Sequence, residues 1–285
     1  MTAALLLVLG CSLGWAGFDV LRKQLTCRLE PQALVLALAC GQAPLFLAWG
    51  LAMGDLRVAP AYLLPGLLSL LSNLVANLLF MRAVQIAPLS TTIPMLSFTP
   101  AFAALLSSLL LREWLRPAQG AGILAVVLGA LLITRAPAPG AAPTAAARRG
   151  PQLMMVVALL WSLGAVLDKY LLRSASPAAH AALQAGGLAL MLLGWLAARG
   201  QLGQLRPARR AAGLLLLAMA VSSLSLALQL LAYQRVFVSV VEAVKRTVGM
   251  AASVANGRLL WHEPVTPGKI SGVALMSLGV WVLLR

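Results

Sequence analysis

The sequence predicts an all-α polytopic membrane protein whose ten transmembrane helices form two inverted-topology five-helix repeats. Three observations carry that reading. The chain of 285 residues is 61% hydrophobic and only 10% charged, whereas soluble domains average about 45–50% apolar and about 25% charged residues. Its apolar residues gather into blocks of about 18–25, the length a helix needs to cross hydrocarbon. The chain also repeats itself about a stretch of different composition at its midpoint.

Taken in order, the first five blocks cover about 2–22, 32–52, 61–82, 89–111 and 117–135, and the second five about 152–172, 180–198, 212–234, 238–260 and 267–284. The first block contains VLGC, Val8–Cys11, which is similar to a lipoprotein cleavage site. No Lys or Arg precedes it, and a cleaved signal needs a positive n-region, so the block is read as a helix that stays. The fourth block carries Pro88, Pro94 and Pro100 together with Thr91, Thr92, Ser97 and Thr99. Prolines in a membrane helix free carbonyls and kink it, and Ser and Thr re-satisfy the freed groups. After the fifth block, RAPAPGAAPTAAARRGP, Arg135–Pro151, is rich in Pro and Ala and has no periodicity, the mark of a linker. It divides the chain into a first repeat at 1–135, a linker at 136–151 and a second repeat at 152–285. RGQLGQLRPARR, Arg199–Arg210, is a second break, a basic loop.

The duplication is read from the two ends of each half. The first half closes with EWLRPAQGAGILAVVLGALLI from Glu113, the second with EPVTPGKISGVALMSLGVWVL from Glu263. Each Glu is followed at the same spacings by Pro117 or Pro267, then Gly122 or Gly272, then Gly129 or Gly279. The openings match as well: WAGFDVLRK, Trp15–Lys23, and WSLGAVLDK, Trp161–Lys169, keep Trp and Lys at one spacing. Chance likeness between Ala/Leu-rich stretches does not hold several other residue types in register. Five helices per half is an odd number, so the second half starts on the other side of the membrane, which gives an inverted pair. Glycines seven apart share a helix face and let a neighbouring helix approach closely, a packing role.

In their order and duplication these motifs resemble the EamA-type branch of the drug/metabolite transporter superfamily, over nearly the whole chain. The resemblance implies a secondary transporter, an exporter, that moves a small polar or anionic organic metabolite by alternating access around a site near the midplane. A lipid-handling protein or a non-transporting membrane partner on the same scaffold is the alternative. The implied partners are a small-molecule substrate, the lipid bilayer, and protons or a counter-substrate, with the chain a monomer or homodimer. No cofactor is implied.

Ionisable groups inside a membrane helix cost about 2.5–3.5 kcal/mol by insertion scales, so they turn inward, pair, and serve function. VVEAVKRTVGMAASVANGRLLW, Val240–Trp261, holds the clearest set. Lys245 and Arg246 fall about 10–12 Å into this helix at 1.5 Å per residue. Glu242, three and four residues earlier, shares their face. One carboxylate for two cations favours recognition of a substrate anion, with a structural network or a gating contact as the other readings. The adjacent Lys–Arg pair also resembles one in the ninth helix of triose-phosphate translocators, relatives in the same superfamily, where the resemblance implies a phosphate-holding role. The rest of that binding set is not recognisable, so phosphate is not assigned. In the first half, Thr92, Met95 and Leu96 occupy the positions of Glu242, Lys245 and Arg246. A symmetric scaffold with asymmetric chemistry suits a single substrate site.

Trp15, Asp19, Arg22 and Lys23 recur on one side of the first helix, and Trp161, Asp168 and Lys169 on one side of the sixth. Asp19, Lys23, Asp168 and Lys169 are expected at the two mouths of a pathway as gate or coupling residues, with snorkelling to headgroups the plainer reading of the lysines. Asp19, Asp168 or Glu242 would carry a coupling proton. Trp15 and Trp161 sit deep enough to line a cavity. Asn77, in register with Asn73, and Gln229 and Tyr233 complete the substrate-binding set, with interhelical hydrogen bonding the alternative.

Other classes are set aside. The net charge of +15 would point to nucleic acid in a soluble protein, but here basic residues stand at block ends, facing headgroups. Cys11, Cys27 and Cys40 have no CxxC or metal-like spacing. His180 and His262 stand at block boundaries without metal-ligating company, and Glu113 and Glu263 read as helix-start or interface residues. Without a nucleophile and base in reach, a P-loop or HExxH, no enzyme is expected. The expected place is a bacterial inner membrane. Basic residues in the loops favour termini on the outer side; the family resemblance implies cytoplasmic termini and is preferred.

Overall fold

Hydrocarbon offers no hydrogen bonds, so a chain that crosses it must satisfy its backbone internally, as a helix does. The structure, a computed structural model, describes residues 2–86, 92–134, 145–261 and 266–285. Its long elements are all helical: α1 (Thr2–Thr26), α2 (Pro31–Met53), α3 (Leu63–Ile86), α4 (Thr99–Leu111), α5 (Pro117–Thr134), α6 (Ala145–Leu171), α7 (Pro177–Ala198), α8 (Ala212–Tyr233), α9 (Val238–Trp261) and α10 (Pro267–Leu283). Six spans are long and apolar enough to cross a membrane, in α1, α2, α3, α6, α7 and α8. Met95–Leu111, Pro117–Ile133 and Pro267–Leu283 are shorter apolar helices. α9 has 24 residues but is diluted by Glu242, Lys245, Arg246 and Arg258.

These helices follow the expected blocks, with three differences. α1 runs on to Thr26, so Arg22 and Lys23, at the edge of the expected block, belong to the helix. The fourth block is divided: a 3₁₀ segment over Ile93–Phe98 precedes α4, and each carries a proline in its first turn. Proline lacks the N–H an α-helix needs and clashes with the turn before it. Thr99 Oγ1 donates to the Leu96 carbonyl at this junction, at 2.5 Å. α6 starts at Ala145, inside the expected linker. Pro88, Thr91, residues 136–144, His262 and Glu263 lie outside the described residues.

Side chains are sorted in the sense a lipid solvent demands. On α3, Leu63, Leu64, Leu67, Leu68 and Leu71 are exposed while Ser69 and Ser72 are buried. On α8, Leu216, Leu217 and Leu224 face outward while Ser222, Ser223, Ser225 and Gln229 are inside.

The helices form two compact units, and each draws on both halves of the sequence: Met1–Leu70 with Leu167–Gln234, and Leu71–Val166 with Arg235–Arg285. In the first unit α1 packs along α8 and α2 along α7. A short clip ties the α2–α3 connection to the α6–α7 connection. Ala59 N–H donates to the Ser174 carbonyl at 2.7 Å, and Ser176 donates through its N–H to Arg57 O and through Oγ to Asp55 O. Ser176 also caps α7, accepting from Ala179 N–H. Beside it, Arg57 hydrogen-bonds the Asp55 carboxylate and holds it below the usual carboxylate range.

In the second unit α5 lies along α10 and α4 along α9. A Cβ on Gly122 would stand 2.7 Å from the Gly279 carbonyl, and one on Gly129 would stand 2.6 Å from that of Gly272. The first glycine of each helix therefore meets the second of the other, an antiparallel and reciprocal contact of backbone on backbone. Side chains repeat the pattern: Leu283 approaches Gly122 and Ile133 approaches Gly272, Met276 approaches Gly129 and Val126 approaches Gly279. Overpacked cores lose about 1–3 kcal/mol. Gly129→Leu is therefore expected to lower the unfolding midpoint of detergent-solubilised protein clearly, and Gly120→Leu, where a Cβ meets nothing within 4 Å, to leave it nearly unchanged.

Candidate functional site

Polar residues inside the helices gather in three places. The first is the N-terminal half of α9. Its start is held by Glu113, which is buried and whose Oε2 accepts from Val238 N–H at 3.2 Å, a favourable place for a carboxylate. Glu113 is thus a helix-start residue for α9. Two turns in, Lys245 Nζ donates to Glu242 Oε1 at 2.5 Å. The Glu242 side chain is 4% exposed and that of Lys245 21%. Arg246, half-buried, follows. Ser239, Glu242 and Arg246 share a face of the helix. Among the described residues, the hydroxyls of Ser239 and Thr247 on α9 and of Ser97 on the 3₁₀ segment before α4 are buried with no hydrogen-bond partner. In a membrane span such groups are rare unless something polar meets them.

In the same unit Trp161 stacks tilted on Phe80, ring centroids 5.4 Å apart. Both pack against an apolar cluster that includes Ala76, Ala83, Leu96 and Met154. Asn77 Nδ2 turns back to the Asn73 carbonyl of its own helix at 2.8 Å.

The second place lies in the other unit. Trp15 Nε1 donates to Gln229 Oε1 at 2.7 Å, and Gln229 Nε2 donates to Tyr233 Oη at 2.8 Å. Tyr233 is fully buried and Gln229 nearly so. Beside them Gln42 Nε2 donates to Ser222 Oγ, a contact the sequence reading did not anticipate. The expected substrate-binding set is therefore distributed: Trp15, Gln229 and Tyr233 in one unit, and Asn77, Trp161, Glu242, Lys245 and Arg246 in the other.

The residues expected at the gates divide similarly. Asp19 pairs with Arg22 at 2.9 Å, both partly exposed; the Lys23 side chain lies outside the described residues. Asp168 is instead turned inward, where Ser69 Oγ donates to its Oδ1 at 3.0 Å and His180 Nε2 lies 3.3 Å away. Lys169 beside it is half-buried. This third place was missed because His180 was read as a boundary residue. The signal was present: Ser176–Pro177 marks a helix start, and a connection as short as 172–176 brings the end of α6 beside the first turn of α7.

The profile of the EamA-like transporter family matches residues 2–135 and 148–285. The chain belongs to that family. Its members are membrane transporters of the drug/metabolite type, in agreement with the sequence resemblance, and the two matched stretches are two repeats. One solved crystal structure superposes on 99% of this EamA-like chain and 96% of its own length with a TM-score of 0.79. At 17% identity that likeness shows a shared fold. Comparison with curated proteins gives no match.

Breaking a buried ion pair by deleting one partner typically costs 3–5 kcal/mol, while replacing both by apolar groups costs far less. Glu242→Leu is expected to destabilise this EamA-like protein by about 2–3 kcal/mol, given the partial exposure of Lys245. Lys245→Met added to it is expected to restore most of the loss. Chemical unfolding of the two single variants and the double variant in detergent reads the coupling directly.

Proposed function

We propose that this protein is a secondary transporter, an exporter, of a small polar or anionic organic metabolite, working in a bacterial inner membrane. Ten helices in two inverted-topology repeats, at 1–135 and 152–285, would rock by alternating access about a substrate site near the midplane. Family membership supports the transporter class. The reciprocal antiparallel crossing of α5 and α10 supports the inverted relation of the repeats.

The observation that carries the substrate class is the Glu242–Lys245 pair with Arg246 and the partnerless hydroxyls of Ser239 and Thr247 on one helix. A cation held by its own carboxylate at rest can exchange that partner for a substrate carboxylate or phosphate. The hydroxyls add neutral hydrogen bonds of the kind a polar metabolite needs. Trp15, Trp161, Asn77, Gln229 and Tyr233 would supply the remaining contacts, and Asp19, Lys23, Asp168 and Lys169 the gates.

Flux of a panel of radiolabelled amino acids, organic acids and sugar phosphates into proteoliposomes tests the reading. One solute class is expected to move, with Lys245→Ala and Arg246→Ala each lowering its flux about tenfold or more, the loss of one charged hydrogen bond. Asp55→Asn, in an exposed loop pair, is expected to stay within about twofold of the parent. Unchanged flux in both α9 variants would remove α9 from substrate recognition.

A further inference from the structure

The end of α6 and the starts of α3 and α7 meet around His180, which is 2% exposed. Its Nε2 lies 3.3 Å from Asp168 Oδ1 and its Nδ1 2.9 Å from Tyr62 Oη. Ser69 Oγ donates to the same carboxylate oxygen at 3.0 Å. At the other end, Gln184 Nε2 donates to Tyr62 Oη at 3.1 Å and to the Gly66 carbonyl at 3.0 Å.

An ionised Asp168 can only accept, so it takes its bond from His180 Nε2, and Tyr62 then donates to Nδ1. A neutral His180 therefore carries its proton on Nε2, aimed at Asp168. The chain is complete, yet it leaves a carboxylate in a helix that is apolar enough to span a membrane. One proton added at Nδ1 turns this into an imidazolium–carboxylate pair with no net charge, the arrangement such surroundings favour.

We propose that Asp168, His180 and Tyr62 form the proton-binding site through which the transport cycle is coupled to H⁺, an assignment that rests on the transporter reading above. The site gains one proton from water as an N–H bond at His180 and returns it to water when that bond breaks. His180 and Asp168 hold the proton; Tyr62, Ser69 and Gln184 are positioning residues. Once protonated, Nδ1 is a donor, and Tyr62 must turn its own proton elsewhere. Gln184 Oε1, buried and without a hydrogen-bond partner, becomes that acceptor if the amide turns over. The turn breaks the Gln184–Gly66 bond that ties α7 to α3. Protonation is thereby converted into release of one helix from another.

The titratable groups touching His180 are Asp168 and Tyr62. Next to them in the chain are Lys169, Tyr170 and Arg173, and the mutually paired Asp55 and Arg57 lie in the α2–α3 connection that is tied to the α6–α7 connection.

The chain has two histidines, His180 and His262. In the full-length His262→Gln protein, ¹³C-histidine NMR in detergent micelles therefore follows one imidazole. Its ring-carbon shifts are expected to change between this background and the same protein carrying Asp168→Asn, the mark of an imidazole held by that carboxylate. Flux into proteoliposomes is expected to depend on pH in the parent and to lose that dependence in His180→Gln. Where His180→Gln does not yield folded protein, Tyr62→Phe, which keeps the imidazole, serves the same comparison. Imidazole shifts unmoved by Asp168→Asn, or identical pH–flux profiles in parent and variant, overturn the proposal. Imidazole shifts that respond to Asp168→Asn, without flux of any solute at any pH, support the proton site and overturn the transporter reading.

Discussion

Everything in this fold answers to one constraint: the solvent along its flanks forms no hydrogen bonds. The backbone must then close its bonds within each helix, and side-chain hydroxyls that enter a helix must find an acceptor nearby. Ser12, Ser162, Ser222 and Ser225 all solve this alike, donating to the carbonyl four residues back at 2.6 Å. The solution is local, costs no partner helix, and leaves the outer faces to leucine. Where a local partner does not exist, the group needs a tertiary one, and those exceptions locate the chemistry. Gln229, His180 and Asp168 are all of this kind.

The same distinction explains what the sequence made legible. Helix order follows from the lengths of apolar blocks, because lipid imposes a length on every span. The α5–α10 crossing could be anticipated because glycines seven apart share a face, whatever lies opposite. Glu242 and Lys245 were legible as a pair because three residues along a helix is a contact distance. Trp15 and Gln229 were each marked, but their bond joins residues 214 apart in sequence, and no local rule links them. Tyr62 likewise reaches His180 across 118 positions, beyond any local rule. The first apolar block ends a few residues short of its helix: the backbone stays helical through Thr26, and Arg22 folds back on Asp19.

Duplication leaves a symmetric frame on which unlike chemistry has been placed. α5 and α10 keep equivalent glycines in reciprocal contact, so neither can acquire a side chain there without displacing a backbone. α4 and α9 have no such tie. At the positions that match Glu242, Lys245 and Arg246, the first half has Thr92, Met95 and Leu96, and Leu96 is buried in an apolar cluster with Ala76 and Met154. A charge at position 96 would have to be desolvated among methyl groups, whereas Lys245 has a carboxylate one turn away.

A comparable divergence separates the opening helices of the two halves. In α1 the acid stands with an arginine at a partly exposed site, where a pair is worth little because water screens it. In α6 the acid is turned inward and meets an imidazole, the one side chain whose ordinary titration lies near neutral pH. An Asp–Arg pair keeps its charges over the whole physiological range and can only hold or release a surface. An Asp–His pair under cover changes its net charge by one when a proton binds, and the hydrogen bonds radiating from it must reverse in sequence. Burial is what makes that reversal matter, since an exposed hydroxyl would simply turn to water. In the shared Trp–Lys register Asp168 stands where α1 has Arg22, and Asp19 where α6 has Ala165, so the two acids are separate acquisitions: one in a partly exposed pair, the other turned inward against an imidazole.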